Sequence, residues 1–117
     1  MASLMVEITA PSELEAERIG RALVEEGLAS CANLLPGVRS LYRWKGKVEE
    51  AFETLLLVKT TGSALPRLTE RVRSLHSYEC PCIAAFEIVG GNPDYLAWIE
   101  AECWMHGSHA APKDPGG

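Results

Sequence analysis

An α+β fold of the ferredoxin-like βαββαβ type, with a long β-hairpin and an added C-terminal helix, is predicted by three features of this 117-residue sequence. Two apolar, partly alternating runs, Cys31 to Trp44 and Val48 to Thr60, meet at Lys45-Gly46-Lys47, the pattern of an antiparallel hairpin. A stretch with apolar residues at helical spacing lies on either side of that hairpin. Short apolar runs, Val6 to Thr9 and Cys82 to Val89, stand at the two ends of the set. The order β-α-β-β-α-β is that of the split βαβ unit, whose two helices make right-handed crossovers onto one face of an antiparallel sheet.

The elements follow in order. Val6 to Thr9 reads as the first strand and stops at Ala10-Pro11. Ser12 and Glu15 have the Ser-x-x-Glu spacing of a capping box, in which the serine hydroxyl accepts from the third helical N–H and the glutamate reaches back to the cap N–H. Ala16, Ile19, Gly20 and Leu23 then mark an apolar helix face, and Gly27 supplies the stop. In the hairpin, Leu41, Arg43 and Lys45 share one face and Tyr42, Trp44 and Gly46 the other. After Thr60-Thr61-Gly62, Ser63 is the expected cap of a second helix with Pro66 in its first turn. Leu65, Leu68, Val72 and Leu75 form its stripe; Arg67, Glu70, Arg71 and Arg73 face water, and it ends near His76. Cys82 to Val89, continuously apolar between Pro81 and Gly90-Gly91, is expected as a central strand buried on both faces. Asn92-Pro93 opens a third helix running to about Trp104, with Leu96, Ile99 and Cys103 inward. One domain over 1–106 and a flexible tail over 107–117 complete the reading.

The hairpin's length carries a further expectation. An arm of about 13 residues spans about 43 Å at ~3.3 Å per residue, whereas a compact chain of this size is about 35 Å across. The arms therefore overhang their own globule, and an overhang carrying Tyr42, Trp44, Phe52 and Leu55 to Val58 leaves apolar surface and sheet edges for other copies to cover. The plainer alternative is that Pro36-Gly37 breaks the first arm into a short strand and a loop, giving a monomer.

Composition narrows the function. A net charge of −5 without a basic stripe argues against nucleic-acid or anionic-membrane partners. No apolar run approaches the ~20 residues that cross a bilayer, and no signal-type segment opens the chain, so a cytoplasmic protein whose cysteines are free thiols or metal ligands is expected. Phosphate-loop, His-Glu-x-x-His and Gly-x-Ser-x-Gly sequences are absent, so no catalytic residue is assigned.

Four groups could carry chemistry. His76, Cys80 and Cys82 gather an imidazole and two thiols within seven residues, a donor set suited to Cu(I) or Zn(II); free cysteines are equally at home as small buried hydrophobes. Cys103, Met105, His106 and His109 offer a second soft donor set or a solvated tail. Tyr42, Trp44, Lys59, Tyr78 and Glu79 either pack an interface or line an inter-subunit cleft for a small anion or ion. Cys31 with His76 supplies the residue types of a nucleophile and its base, with no orienting third group in the sequence.

Five blocks in order, Ala29-Ser30-Cys31-Ala32-Asn33-Leu34-Leu35-Pro36-Gly37, Ser40-Leu41-Tyr42-Arg43-Trp44-Lys45-Gly46-Lys47, Leu57-Val58-Lys59-Thr60-Thr61, Leu75-His76-Ser77-Tyr78-Glu79-Cys80-Pro81 and Gly91-Asn92-Pro93-Asp94-Tyr95-Leu96-Ala97-Trp98-Ile99, resemble the CutA family of divalent-cation tolerance proteins from Val6 to Glu102. The resemblance implies a cytosolic, non-catalytic homotrimer whose hairpins extend neighbouring sheets, with no required cofactor and a link to copper and other divalent ions. The similar trimers of PII-type signalling proteins imply the alternative, a regulatory module holding a nucleotide or small anion between subunits. In relatives with a copper site, the resemblance places ligands at positions that are Ile8, Leu75 and His76 here, so His76 alone carries over. Ser77 stands where proline is usual, and Cys82 where glutamate is common.

Overall fold

Val6, Ile8 and Ala10 alternate inward from the first strand and meet Leu56 and Val58 of the hairpin, and two helices close over them to make the core. The structure, a computed structural model, describes residues 2–104. The tail expected over 107–117 and the donors Met105, His106 and His109 lie outside the described residues.

The order is β1 (Ser3–Ala10), α1 (Glu13–Glu25), β2 (Cys31–Trp44), β3 (Lys47–Thr61), α2 (Leu65–Leu75), β4 (Ile83–Glu87) and α3 (Pro93–Glu102). The four strands form one antiparallel sheet in the order β2-β3-β1-β4. Ala16, Ile19, Gly20 and Leu23 of α1 and Leu68 and Val72 of α2 are buried against the even-numbered residues of β1 and β3. α3 packs on β3 and β1, burying Ile99. No described helix is long and apolar enough to cross a membrane.

Local chemistry explains the boundaries. The Ser12 hydroxyl accepts from Glu15 N at 3.1 Å, so half of the expected capping box forms; the Glu15 carboxylate is committed elsewhere. At the other end of α1, Gly27 (φ +72°) donates to Val24 O and Leu28 N donates to Leu23 O, a Schellman closure that needs a left-handed residue. α2 departs from expectation. Its cap position is Ala64, which makes no side-chain cap bond, and Thr61 Oγ1 rather than Ser63 accepts from Ala64 N. Arg71, expected in water, is half-buried in a two-pronged pair with Glu26 at the end of α1, its shortest contact 2.8 Å.

Two expectations about the sheet are resolved. Pro36-Gly37 does not end β2: the strand continues through a bulge in which these two residues face Thr54 alone, between the pairs Leu35↔Leu55 and Val38↔Glu53. The molecule accordingly measures 50 × 28 × 21 Å, with the hairpin reaching beyond the body along its longest axis. The last strand, in contrast, is neither central nor doubly buried. β4 pairs only with β1, and Ala84, Ala85 and Phe86 are exposed within the subunit. Ile83 is partly buried against the subunit's own core.

Candidate functional site

The segment from His76 to Cys82 leaves the end of α2 and runs beneath the end of β1 to reach β4, and most of the predicted chemistry meets there. His76 caps α2, and its imidazole is fully enclosed. Its Nε2 lies 2.7 Å from Thr9 O, a group that can only accept, so Nε2 carries the proton. Nδ1 then accepts from Tyr78 N at 3.0 Å, with Glu15 Oε2 3.4 Å away. Glu15 Oε2 also accepts from both the backbone N and the hydroxyl of Ser77, at 2.9 and 3.0 Å. The three residues after α2 are thus tied to β1 and α1 by hydrogen bonds that use every polar atom of the ring.

Tyr78 stacks against His76 at 4.8 Å between ring centroids and donates its hydroxyl to the buried carboxylate of Glu53 at 3.0 Å. Burial, reinforced by the Glu53 contact, pushes the phenol up to about 12, and Tyr42 lies close enough to contribute to that shift. Cys82 Sγ lies 3.9 Å from both Glu7 O and Glu7 Oε2; burial first and the Glu7 charge second push the thiol up, which leaves it neutral. Cys80 is exposed and makes no bond to Cys82; all four cysteines are free thiols.

A copper centre on His76, Cys80 and Cys82 does not fit this arrangement. A metal ligand needs a free nitrogen lone pair, and His76 spends its Nδ1 lone pair on Tyr78 N–H and its Nε2 proton on Thr9 O. Among the described residues, no group of three or more His, Cys, Asp or Glu side chains is arranged to hold a metal ion. The residues expected to line an inter-subunit cleft stand at separate places within one subunit. Tyr78 bonds Glu53, and Tyr42, opposite Glu49 in the hairpin, lies near Tyr78. Trp44 stands near the hairpin tip with Lys45 Nζ 5.8 Å from its ring, and Glu79 borders a shallow groove of about 410 Å³ with Arg73 and Pro81. Lys59 lies elsewhere, donating to Asn33 Oδ1 at 2.7 Å beside Cys31. Cys31 is level with Met5 on the sheet, four residues or about 13 Å along β1 from the Thr9 carbonyl that holds His76, which removes the nucleophile-and-base pairing. Thr9, Glu15 and Glu53 were missed as participants. Only Glu15 gave a signal, and it pointed to a cap.

Residues 4–102 match the family model described as CutA1 divalent ion tolerance protein. The divalent-cation tolerance protein CutA of Thermus thermophilus is 55% identical over 95 residues, 81% of this chain and 92% of that protein. Protein CutA of Mus musculus is 49% identical over 92 residues, 79% of this chain; the match spans about half the mouse protein, 52% of its length. Among solved structures, that of the divalent cation tolerance protein Cut A1 from Thermus thermophilus superposes with a TM-score of 0.84 at 52% identity, covering 86% of this chain and 97% of that one.

Proposed function

The chain belongs to the CutA1 divalent ion tolerance family, and from that premise we propose that it serves divalent-ion tolerance as a cytoplasmic homotrimer, by assembly and binding rather than by catalysis. The observation that carries this reading is the overhanging hairpin. Leu41, Val48 and Phe52 lie on one face of it and are 64%, 67% and 68% exposed, alongside Arg39, Arg43 and Glu50. Three large apolar side chains side by side on an unsupported ribbon form a patch of the kind that marks an interaction surface. Four free thiols fit a reducing compartment.

Sedimentation equilibrium tests the assembly: a mass three times 12.7 kDa is expected at micromolar concentration, and Phe52→Asp should dissociate it. A monomer in the wild type refutes the reading. The enclosure of His76 gives the metal-binding part a separate test. If a bound ion is held elsewhere, His76→Gln, which keeps one donor and one acceptor, should take up Cu(I) and Zn(II) as the wild type does in calorimetric titration. Selective loss of binding in that variant would restore His76 as a ligand.

A further inference from the structure

α1 and α2 cover one face of the sheet; the opposite face carries the odd-numbered residues of β1 and β3, and α3 touches it at the Cys31 end through Tyr95. Across it the rows read Phe86, Met5, Lys59, Cys31; then Ala84, Glu7, Leu57, Asn33; then Thr9, Leu55, Leu35. Seven of these eleven side chains are apolar and none is buried within the subunit, so two charged groups stand out among them. Lys59 and Glu7 occupy adjacent rows on neighbouring strands, a diagonal separation that long side chains can bridge. They do not pair. Lys59 Nζ turns toward the β2 edge to reach the neutral oxygen of Asn33, and Glu7 turns the other way, toward Cys82 just ahead of β4. Neither has an oppositely charged partner among the described residues.

Within these rows the face has positive charge on its β2 side and negative charge on its β4 side, set among Met5, Leu55 and Leu57; Glu53, one row further out, is buried and bonded by Tyr78. We infer that the face is closed by a second copy of this chain, with Lys59 of one subunit paired to Glu7 of the next. The inference rests on the homotrimer proposed above and specifies one of its contacts. A face with opposite charges displaced to opposite sides complements itself in a head-to-tail arrangement, where the β2 side of one copy meets the β4 side of its neighbour, as a closed ring requires. Half-burial among leucines makes each charge costly to leave alone once the face is covered, so pairing them sets the register between copies.

The test is a charge swap in the full-length chain, with oligomeric state followed by sedimentation over a dilution series and folding checked by circular dichroism. Glu7→Lys and Lys59→Glu should each weaken assembly by roughly a hundredfold or more, because each places like charges across the seam. The double swap, Glu7→Lys with Lys59→Glu, should recover most of that loss. The neutral pair Glu7→Gln and Lys59→Met provides variants that keep side-chain bulk, each expected to weaken assembly less than the reversals do. Singles that assemble like the wild type, or a double swap no better than the singles, overturns the inference while a trimeric wild type leaves the parent reading standing. A monomeric wild type overturns both.

Discussion

Replacing Gly27 by alanine isolates a contact that backbone conformation alone does not predict. Gly27 sits at φ +72°, and a Cβ there would fall inside the indole of Trp104, with Cζ2 at 2.7 Å and Cε2 and Cδ2 closer still. Gly46 supplies the control: its φ is +80°, and nothing lies within 4 Å of a Cβ built on it. Alanine in the left-handed region costs about 1–2 kcal/mol at either site. At Gly27 the indole must also swing away, giving up roughly 80 Å² of apolar contact, worth about 2 kcal/mol at ~25 cal/mol per Å². Gly27→Ala should therefore melt roughly 8 °C below Gly46→Ala, at about 4 °C per kcal/mol for a chain of this size. The assay is thermal unfolding by circular dichroism at matched concentration. In a Trp104→Ala background the two glycine substitutions should cost the same. Equal melting points for Gly27→Ala and Gly46→Ala in the wild-type background would refute the packing argument.

Other expectations follow from buried polar groups. Thr60 is fully buried and donates Oγ1 to Leu28 O at 2.7 Å, so the near-isosteric Thr60→Val should lose about 1–3 kcal/mol in urea unfolding; an unchanged midpoint refutes that role for the hydroxyl. Tyr78 should ionise near pH 12, against about 10 unfolded. Because the folded value is the higher one, its contribution is intact below pH 10 and is lost as pH rises from 10 toward 12. Phenolate absorbance should show this late component in the wild type and lose it in Tyr78→Phe.

The fold was legible wherever one residue's chemistry decided the outcome. Ser12 started α1, Gly27 ended it, Asn92-Pro93 opened α3, and Lys45-Gly46 turned the hairpin with positive φ at both residues. It was illegible where one pattern has two causes. The apolar run at Cys82 to Val89 reads the same whether another sheet strand or another chain covers it, and β4 turned out to be an edge. The candidate site failed for a similar reason. A histidine beside two cysteines looks like a donor set in sequence, but the partners that occupy its nitrogens, Thr9 O and Tyr78 N, are main-chain atoms that no side-chain pattern announces. Glu15 appeared in sequence as a helix cap, whereas its carboxylate crosses to Ser77, 62 residues away.

The extra residue at Pro36-Gly37 does more than bend β2. On the body side of it, odd-numbered residues of β2 such as Asn33 and Leu35 stand opposite odd-numbered residues of β3. Beyond it, even-numbered residues take over, so Val38, Ser40, Tyr42 and Trp44 face Glu53, Ala51, Glu49 and Lys47. One inserted peptide therefore inverts the parity of the whole outer arm and delivers two aromatic rings to the side on which Glu7 and Lys59 stand. A flat continuation of β2 through Gly37 would instead present Leu41 and Arg43 there, whereas deleting Gly37 would keep Val38 opposite Glu53 and remove only the kink.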